Sequence, residues 1–128
     1  MKSIKRKTGD IGERAVSRYL SCRFYRIVER NFNCRWGELD IVARKGRYIC
    51  FVEVKTRGKN SFGRPADAVD EYKQSKIIKA ASFYLKKNSE FTDCMPRFDV
   101  AEVYITDEKL KINYIKNAFE LNESNHYY

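Results

Sequence analysis

The sequence predicts an α/β domain, and three observations carry that reading. Apolar residues recur at helical spacing over Thr8–Cys22 and Ala66–Lys87. Gly37–Arg57 reads instead as two strands around a tight turn. Phe98–Ile105 and Leu110–Ile115, beyond the second helix, again have strand composition. With 128 residues, no internal repeat and no break in composition, the chain suits one domain spanning 1–128. Residues 1–7 form a basic lead and 122–128 a loose tail.

In the first helix Ile11, Ala15, Val16, Tyr19 and Leu20 make the apolar face, and Thr8 or Asp10 can cap it. Glu13 falls at the rim of that face. Two readings fit it there: a carboxylate reaching over the sheet, or a first-turn acid favoured by the helix dipole. Phe24–Asn33 follows as a short strand and turn centred on Ile27 and Val28.

The central stretch is a hairpin. Leu39, Ile41 and Ala43 alternate with Glu38, Asp40 and Val42, and Tyr48–Val54 is rich in aromatic and β-branched residues. A Lys45-Gly46 loop pairs Arg44 with Arg47, Asp40 with Phe51 and Glu38 with Glu53. Asp40, Glu53 and Lys55 then project from one face, with Asp40 and Glu53 diagonal neighbours roughly 7–8 Å apart. Two carboxylates so placed can share one hard cation, and Mg²⁺ takes oxygen ligands at about 2.0–2.1 Å. Phosphodiester hydrolysis needs an activated water and neutralised phosphate charge, which such a metal and a neighbouring ammonium supply. The alternative is a hairpin with solvated charges. Against it, Glu53 and Lys55 follow Cys50-Phe51-Val52 in what reads as a buried strand, where charges are costly unless paired or metal-bound.

The loop Thr56–Pro65 brings Arg57, Lys59, Phe62 and Arg64 in turn-forming company, a composition suited to meeting a nucleic acid. Phe62 fits such a loop or the core equally. The second helix shows Val69, Lys73, Ile77, Ala80, Ala81, Tyr84 and Leu85 as its stripe, with Lys73 and Gln74 as candidate phosphate contacts. Arg35 is another, although solvated charge explains each. Asp99, at a strand start, reads as structural, and Asn117–Leu121 packs back through Phe119.

Lys and Arg number 26 against 17 Asp and Glu, a net charge of +9 and a pI near 9.4, which points to a polyanionic partner, nucleic acid first. No apolar run approaches the ~18 residues of a membrane span. The basic N-terminus lacks a signal's apolar core. Four scattered cysteines without a Cys-x-x-Cys, and a single histidine at 126, exclude a structural zinc site and predict a cytoplasmic setting.

Several segments together resemble the YraN family of small bacterial proteins: Gly12-Glu13-Arg14-Ala15 with Tyr19-Leu20, Arg30-Asn31, Gly37-Glu38-Leu39-Asp40-Ile41-Val42-Ala43 and Phe51-Val52-Glu53-Val54-Lys55-Thr56-Arg57. Phe62-Gly63, Lys73-Gln74, Arg97-Phe98-Asp99-Val100 and Asn117-Ala118-Phe119 extend the likeness over nearly the whole chain. One departure is Ser21-Cys22-Arg23, where relatives often have a glycine-containing turn. The resemblance implies a restriction-endonuclease-like fold near the archaeal Holliday junction resolvases, with a mixed central β-sheet, a core hairpin and flanking α-helices. It implies a nuclease motif of Asp40, Glu53 and Lys55, with Glu13 as the additional helix acid.

The expected function is a Mg²⁺- or Mn²⁺-dependent endonuclease on DNA, branched or damaged, with Asp40, Glu53 and Glu13 as metal ligands and Lys55 positioning water or offsetting charge. Arg35, Arg57, Lys59, Arg64, Lys73 and Gln74 are the expected nucleic-acid contacts. Symmetric two-strand cleavage would call for a homodimer. The alternatives are a non-catalytic nucleic-acid-binding module on a nuclease fold and a structural protein that meets an acidic partner.

Overall fold

The computed structural model describes residues 4–57, 69–107 and 109–120. Its elements run α1 (Ile4–Ser21), β1 (Arg26–Cys34), β2 (Gly37–Lys45), β3 (Tyr48–Arg57), α2 (Glu71–Lys87), β4 (Met95–Ile105) and β5 (Leu110–Phe119), with one 3₁₀ turn at Ser89–Phe91. The strands form a single sheet in sequence order. β3 and β4 are parallel and the other pairs antiparallel, as they must be when α2 supplies the one crossover. This is the mixed α/β sheet that the sequence predicts, compatible with a restriction-endonuclease-like fold.

Each helix covers one face. α1 seats Val16 and Leu20 on Ile41, Ala43, Cys50, Val52, Ala101 and Val103. α2 seats Ile77, Ile78, Ala81 and Tyr84 on Val42, Ile49, Phe51, Phe98 and Val100. β3 is therefore buried on both faces, which explains its near-continuous apolar run.

Several boundaries differ from the sequence reading. α1 begins at Ile4, so Thr8 and Asp10 are not caps, and Glu13 lies well inside the helix rather than in its first turn. That removes the dipole reading of Glu13. The buried face is Gly12, Val16 and Leu20, while Ile11 is 47% exposed. The cause is Gly12: a Cβ there would collide with Thr56 Oγ1, so the missing side chain is what lets α1 lie against β3.

α2 begins at Glu71, because Asp70 caps it through Oδ1 to the Lys73 amide at 2.8 Å; residues 66–68 lie outside the described residues. Phe24 precedes β1 rather than opening it. Phe119 ends β5 itself, and a bulge in β5 over residues 116–118, opposite Asp99, carries the chain there without a break.

The hairpin turn is Gly46-Arg47, with Lys45 paired to Tyr48, not Lys45-Gly46. Gly46 has φ 57°, and a two-residue hairpin of the II′ kind wants its glycine first. The shift moves the register by two residues, so the parity survives. Val42 pairs with Phe51 rather than Asp40, and by the same count Asp40 comes level with Glu53 instead of diagonal to it.

Candidate metal and nucleic-acid site

The site lies where two strands part. The β2–β3 ladder ends at Ile41↔Val52, while β2 stays paired with β1 to Gly37 and β3 stays paired with β4 to Arg57. At the fork the Asp40 side chain replaces the next rung: its Oδ2 accepts the Val54 amide at 2.9 Å. Glu13 reaches the fork from α1, and one carboxylate oxygen from each of Glu13, Glu38 and Asp40 lies within 4.8 Å of the others. A cleft of about 220 Å³ opens there, lined by Gly37, Glu38, Asp40, Glu53, Lys73, Lys76 and Ile77. The Ile49, Phe51, Glu53 alternation turns Glu53 toward α2, where Lys73 Nζ meets its Oε1 at 3.1 Å.

Four acids gather here with Lys55, Lys73 and Lys76 close by, and burial dominates the electrostatics. Burial, then the charge of Glu53, pushes Asp40 up to about 8 despite the Val54 hydrogen bond, with Glu13 and Glu38 adding to the rise. Glu13 is raised by burial and by Glu38, against a hydrogen bond with Asn31 that lowers it. Its Oε1 is buried with no hydrogen-bond partner. The two lysines diverge. Burial and the neighbouring Lys73 lower Lys55. Burial also works against the charge on Lys73, but Glu53 and hydrogen bonds with Lys55 and Glu53 raise it overall.

An all-oxygen donor set, an orphaned buried carboxylate oxygen and an acid that keeps its proton at neutral pH, ready to release it, fit a hard divalent cation. Softer sites, built on His or Cys, do not resemble this one.

The remaining expected contacts divide. Arg35 is exposed, its guanidinium 4.5 Å from the Trp36 ring centre. Arg57 is only 7% exposed and ion-paired to Glu102 at 3.1 Å, which places it inside the fold rather than on a phosphate-binding face. Gln74 spends its amide on the Val69 carbonyl at 2.8 Å. Lys73 serves Glu53. Lys59 and Arg64 lie outside the described residues.

The sequence reading passed over Lys76 as a cleft residue and over the ring contacts that Lys76 and Lys79 of α2 make. Lys79 lies 5.2 Å from the Trp36 ring, and Lys76, a cleft residue, lies 5.0 Å from the ring of Tyr72, itself 70% exposed. Their i, i+3 and i, i+4 spacing on α2 was the available signal. Asn31, at φ 53°, was equally silent as the partner of Glu13.

A model of the uncharacterised protein family UPF0102 matches residues 12–103, from the glycine that seats α1 to near the end of β4. The chain belongs to the UPF0102 family. UPF0102 relatives cover it almost end to end. One from Caldanaerobacter subterraneus subsp. tengcongensis is 48% identical over 123 residues, 93% of this chain and all of the relative. One from Alkaliphilus metalliredigens is 45% identical over 120 residues, 91% of this chain and all of the relative. One from Geobacter metallireducens is 47% identical over 113 residues, 88% of this chain and 92% of the relative. UPF0102 is the YraN family, the one the motifs resemble. Among the described residues no helix is long and apolar enough to cross a membrane.

Proposed function

We propose that this UPF0102 protein is a metal-dependent endonuclease that hydrolyses phosphodiester bonds in DNA, with branched or damaged duplexes the substrates to try first. The observation that carries this reading is the fork: Glu13, Glu38 and Asp40 converge within 4.8 Å, and Glu53 lines the same cleft. Glu13, Glu38 and Asp40 would hold Mg²⁺ or Mn²⁺, with Glu53, ion-paired to Lys73, the expected ligand that would have to turn to join them. When bound, such an ion lowers the pKa of water and offsets phosphate charge.

The chain's own groups supply the rest. Lys55 Nζ, its pKa lowered by burial and by Lys73, can take a proton from an attacking water or hydrogen-bond a phosphate oxygen. Lys73 Nζ holds Glu53 Oε1 in place. Arg35, Trp36, Tyr72, Lys76 and Lys79 form a cationic and aromatic rim that suits a sugar-phosphate backbone and its exposed bases.

The test is a cleavage panel of linear, branched and single-stranded DNA with Mg²⁺, Mn²⁺ or EDTA. Wild type should cut only with metal. Asp40→Asn and Lys55→Ala should each abolish cutting while DNA binding is retained. A specific observation favours the binding-module alternative: Lys73 already supplies Glu53 with a cation. Pure wild-type protein that binds DNA and cuts nothing would establish that alternative. Cleavage that survives Asp40→Asn would refute the site.

A further inference from the structure

The α1–β1 corner lies at the far end of the sheet from the acids. β2 runs from Asp40 at the fork to Lys45 at the turn, five residues or roughly 17 Å. Here α1 closes with a Schellman turn: the Tyr25 amide returns to the Leu20 carbonyl at 3.0 Å and the Phe24 amide to Ser21 at 3.2 Å. Phe24 is the left-handed residue of that turn, φ 67°, the position that ordinarily takes glycine. A phenylalanine there is strained, and its side chain is 87% exposed, so the fold gains almost no burial from it.

The surroundings are cationic. Arg23 is exposed at the end of α1, Arg47 is exposed in the hairpin turn, and Lys45 shares the α1 face with Tyr48; Arg26 and Arg44, opposite each other and level with Ile49, project to the α2 face instead. Arg23 lies over the Tyr19 ring and Arg47 donates to the Tyr48 hydroxyl, and neither forms an ion pair among the described residues. Lys45 stands 5.5 Å from the Phe24 ring centre and donates to the Arg23 carbonyl, tying the hairpin turn to this corner.

We infer that this corner is a second nucleic-acid contact, in which Phe24 stacks on an unpaired base and Arg23, Lys45 and Arg47 take the flanking phosphates. A phenyl face rewards an unstacked base and cannot read a paired one, so the ligand is a single-stranded segment. Uncompensated arginines match its backbone charge. A strand that also reached the fork would have to run along the hairpin, so the corner would favour DNA with an unpaired stretch beside the bond to be cut. The inference rests on the nucleic-acid part of the proposed function and not on cleavage.

The experiment is fluorescence anisotropy in EDTA. Its probes are a labelled oligothymidylate, the same backbone with abasic sites, and a blunt duplex. The proteins are wild type, Phe24→Gly and Arg23→Gln/Arg47→Gln, and each variant's melting temperature is measured.

Wild type should prefer oligothymidylate to the abasic strand. Phe24→Gly should lose about tenfold on oligothymidylate and little on the abasic strand. The same variant should melt higher, by roughly 3 °C, because glycine relieves the left-handed strain. A structural role for the ring would lower the melting temperature instead. The double arginine variant should flatten the salt dependence on both strands by roughly one unit of slope. If Phe24→Gly binds oligothymidylate like wild type, or wild type does not distinguish the abasic strand, the stacking site is wrong, and the exposed ring serves a partner other than nucleic acid. Duplex binding that persists in that case leaves the proposed function standing; no binding to any of the probes overturns this corner, and the proposed function is then decided by the cleavage panel on branched DNA with metal.

Discussion

Two aspartates stand in matching places and differ in almost everything else. Asp40 and Asp99 each sit at an interruption of a ladder, and each accepts a backbone amide at 2.9 Å, Val54 for one and Asn117 for the other. Asp99 is fully buried, yet Arg97 grips it through Nε and Nη2 at 2.8–3.2 Å and the Tyr114 hydroxyl donates at 2.6 Å. Asp40 is less deeply buried, and its charged neighbours include Glu53, Glu13 and Glu38. One acid is gripped by its own arginine, whereas Lys73, which also feels the charge of Asp40, is ion-paired to Glu53. Burial alone does not distinguish the two; the direct cation partner does.

The largest way to break this comparison is at Asp99. Asp99→Asn would leave Arg97 buried beside a neutral partner, and it should destabilise the chain by about 3–5 kcal/mol in chemical denaturation. Tyr114→Phe should cost less, about 1 kcal/mol. At the fork the same exchange should act in the opposite sense. Asp40→Asn removes repulsion with Glu53, so metal-free stability near pH 8 should hold or rise.

The sign follows from the raised pKa. Between about pH 4 and about pH 8 the folded chain keeps a proton on Asp40 that the unfolded chain has released. Stability from this group is therefore lost as pH rises through that window, and denaturation curves should show a loss that Asp40→Asn flattens.

A smaller effect sharpens how the fork is held. Gly12→Ala should cost about 1–3 kcal/mol by pushing α1 off Thr56, and Thr56→Ala should recover much of that in the double variant. If the two substitutions prove additive, Gly12 does not set the α1–β3 distance. Smaller still is Lys73→Gln. Removing the ammonium from Glu53 Oε1 should tighten divalent-cation binding a few-fold, measured by calorimetry.

Much of this was legible in the sequence, and the reasons are physical. The strand period of β2 and β3 carried enough parity to set Asp40, Glu53 and Lys55 on one face although the turn slipped by a residue. Asp99 read as structural from its place beside Phe98. What the sequence hid were the long-range partners: Lys73 crossing from α2 to Glu53, and Arg57 turning inward to Glu102. Ion pairs between distant elements have no periodic signature. The true inner face of α1 was also hidden, because a glycine that permits contact looks, in a hydrophobic pattern, like a gap.

The most direct measurement is calorimetric titration of Mn²⁺ into wild type, Asp40→Asn and Tyr114→Phe near pH 7.5, in two buffers of different ionisation enthalpy. The account predicts saturable binding by wild type with net proton release, because a cation among the acids strips Asp40 of the proton it holds at that pH. Tyr114→Phe should behave like wild type, while Asp40→Asn should bind far more weakly and release no proton. Wild type that binds no Mn²⁺, or Asp40→Asn that binds it with equal affinity and equal proton release, would contradict the claim that the fork is a cation site.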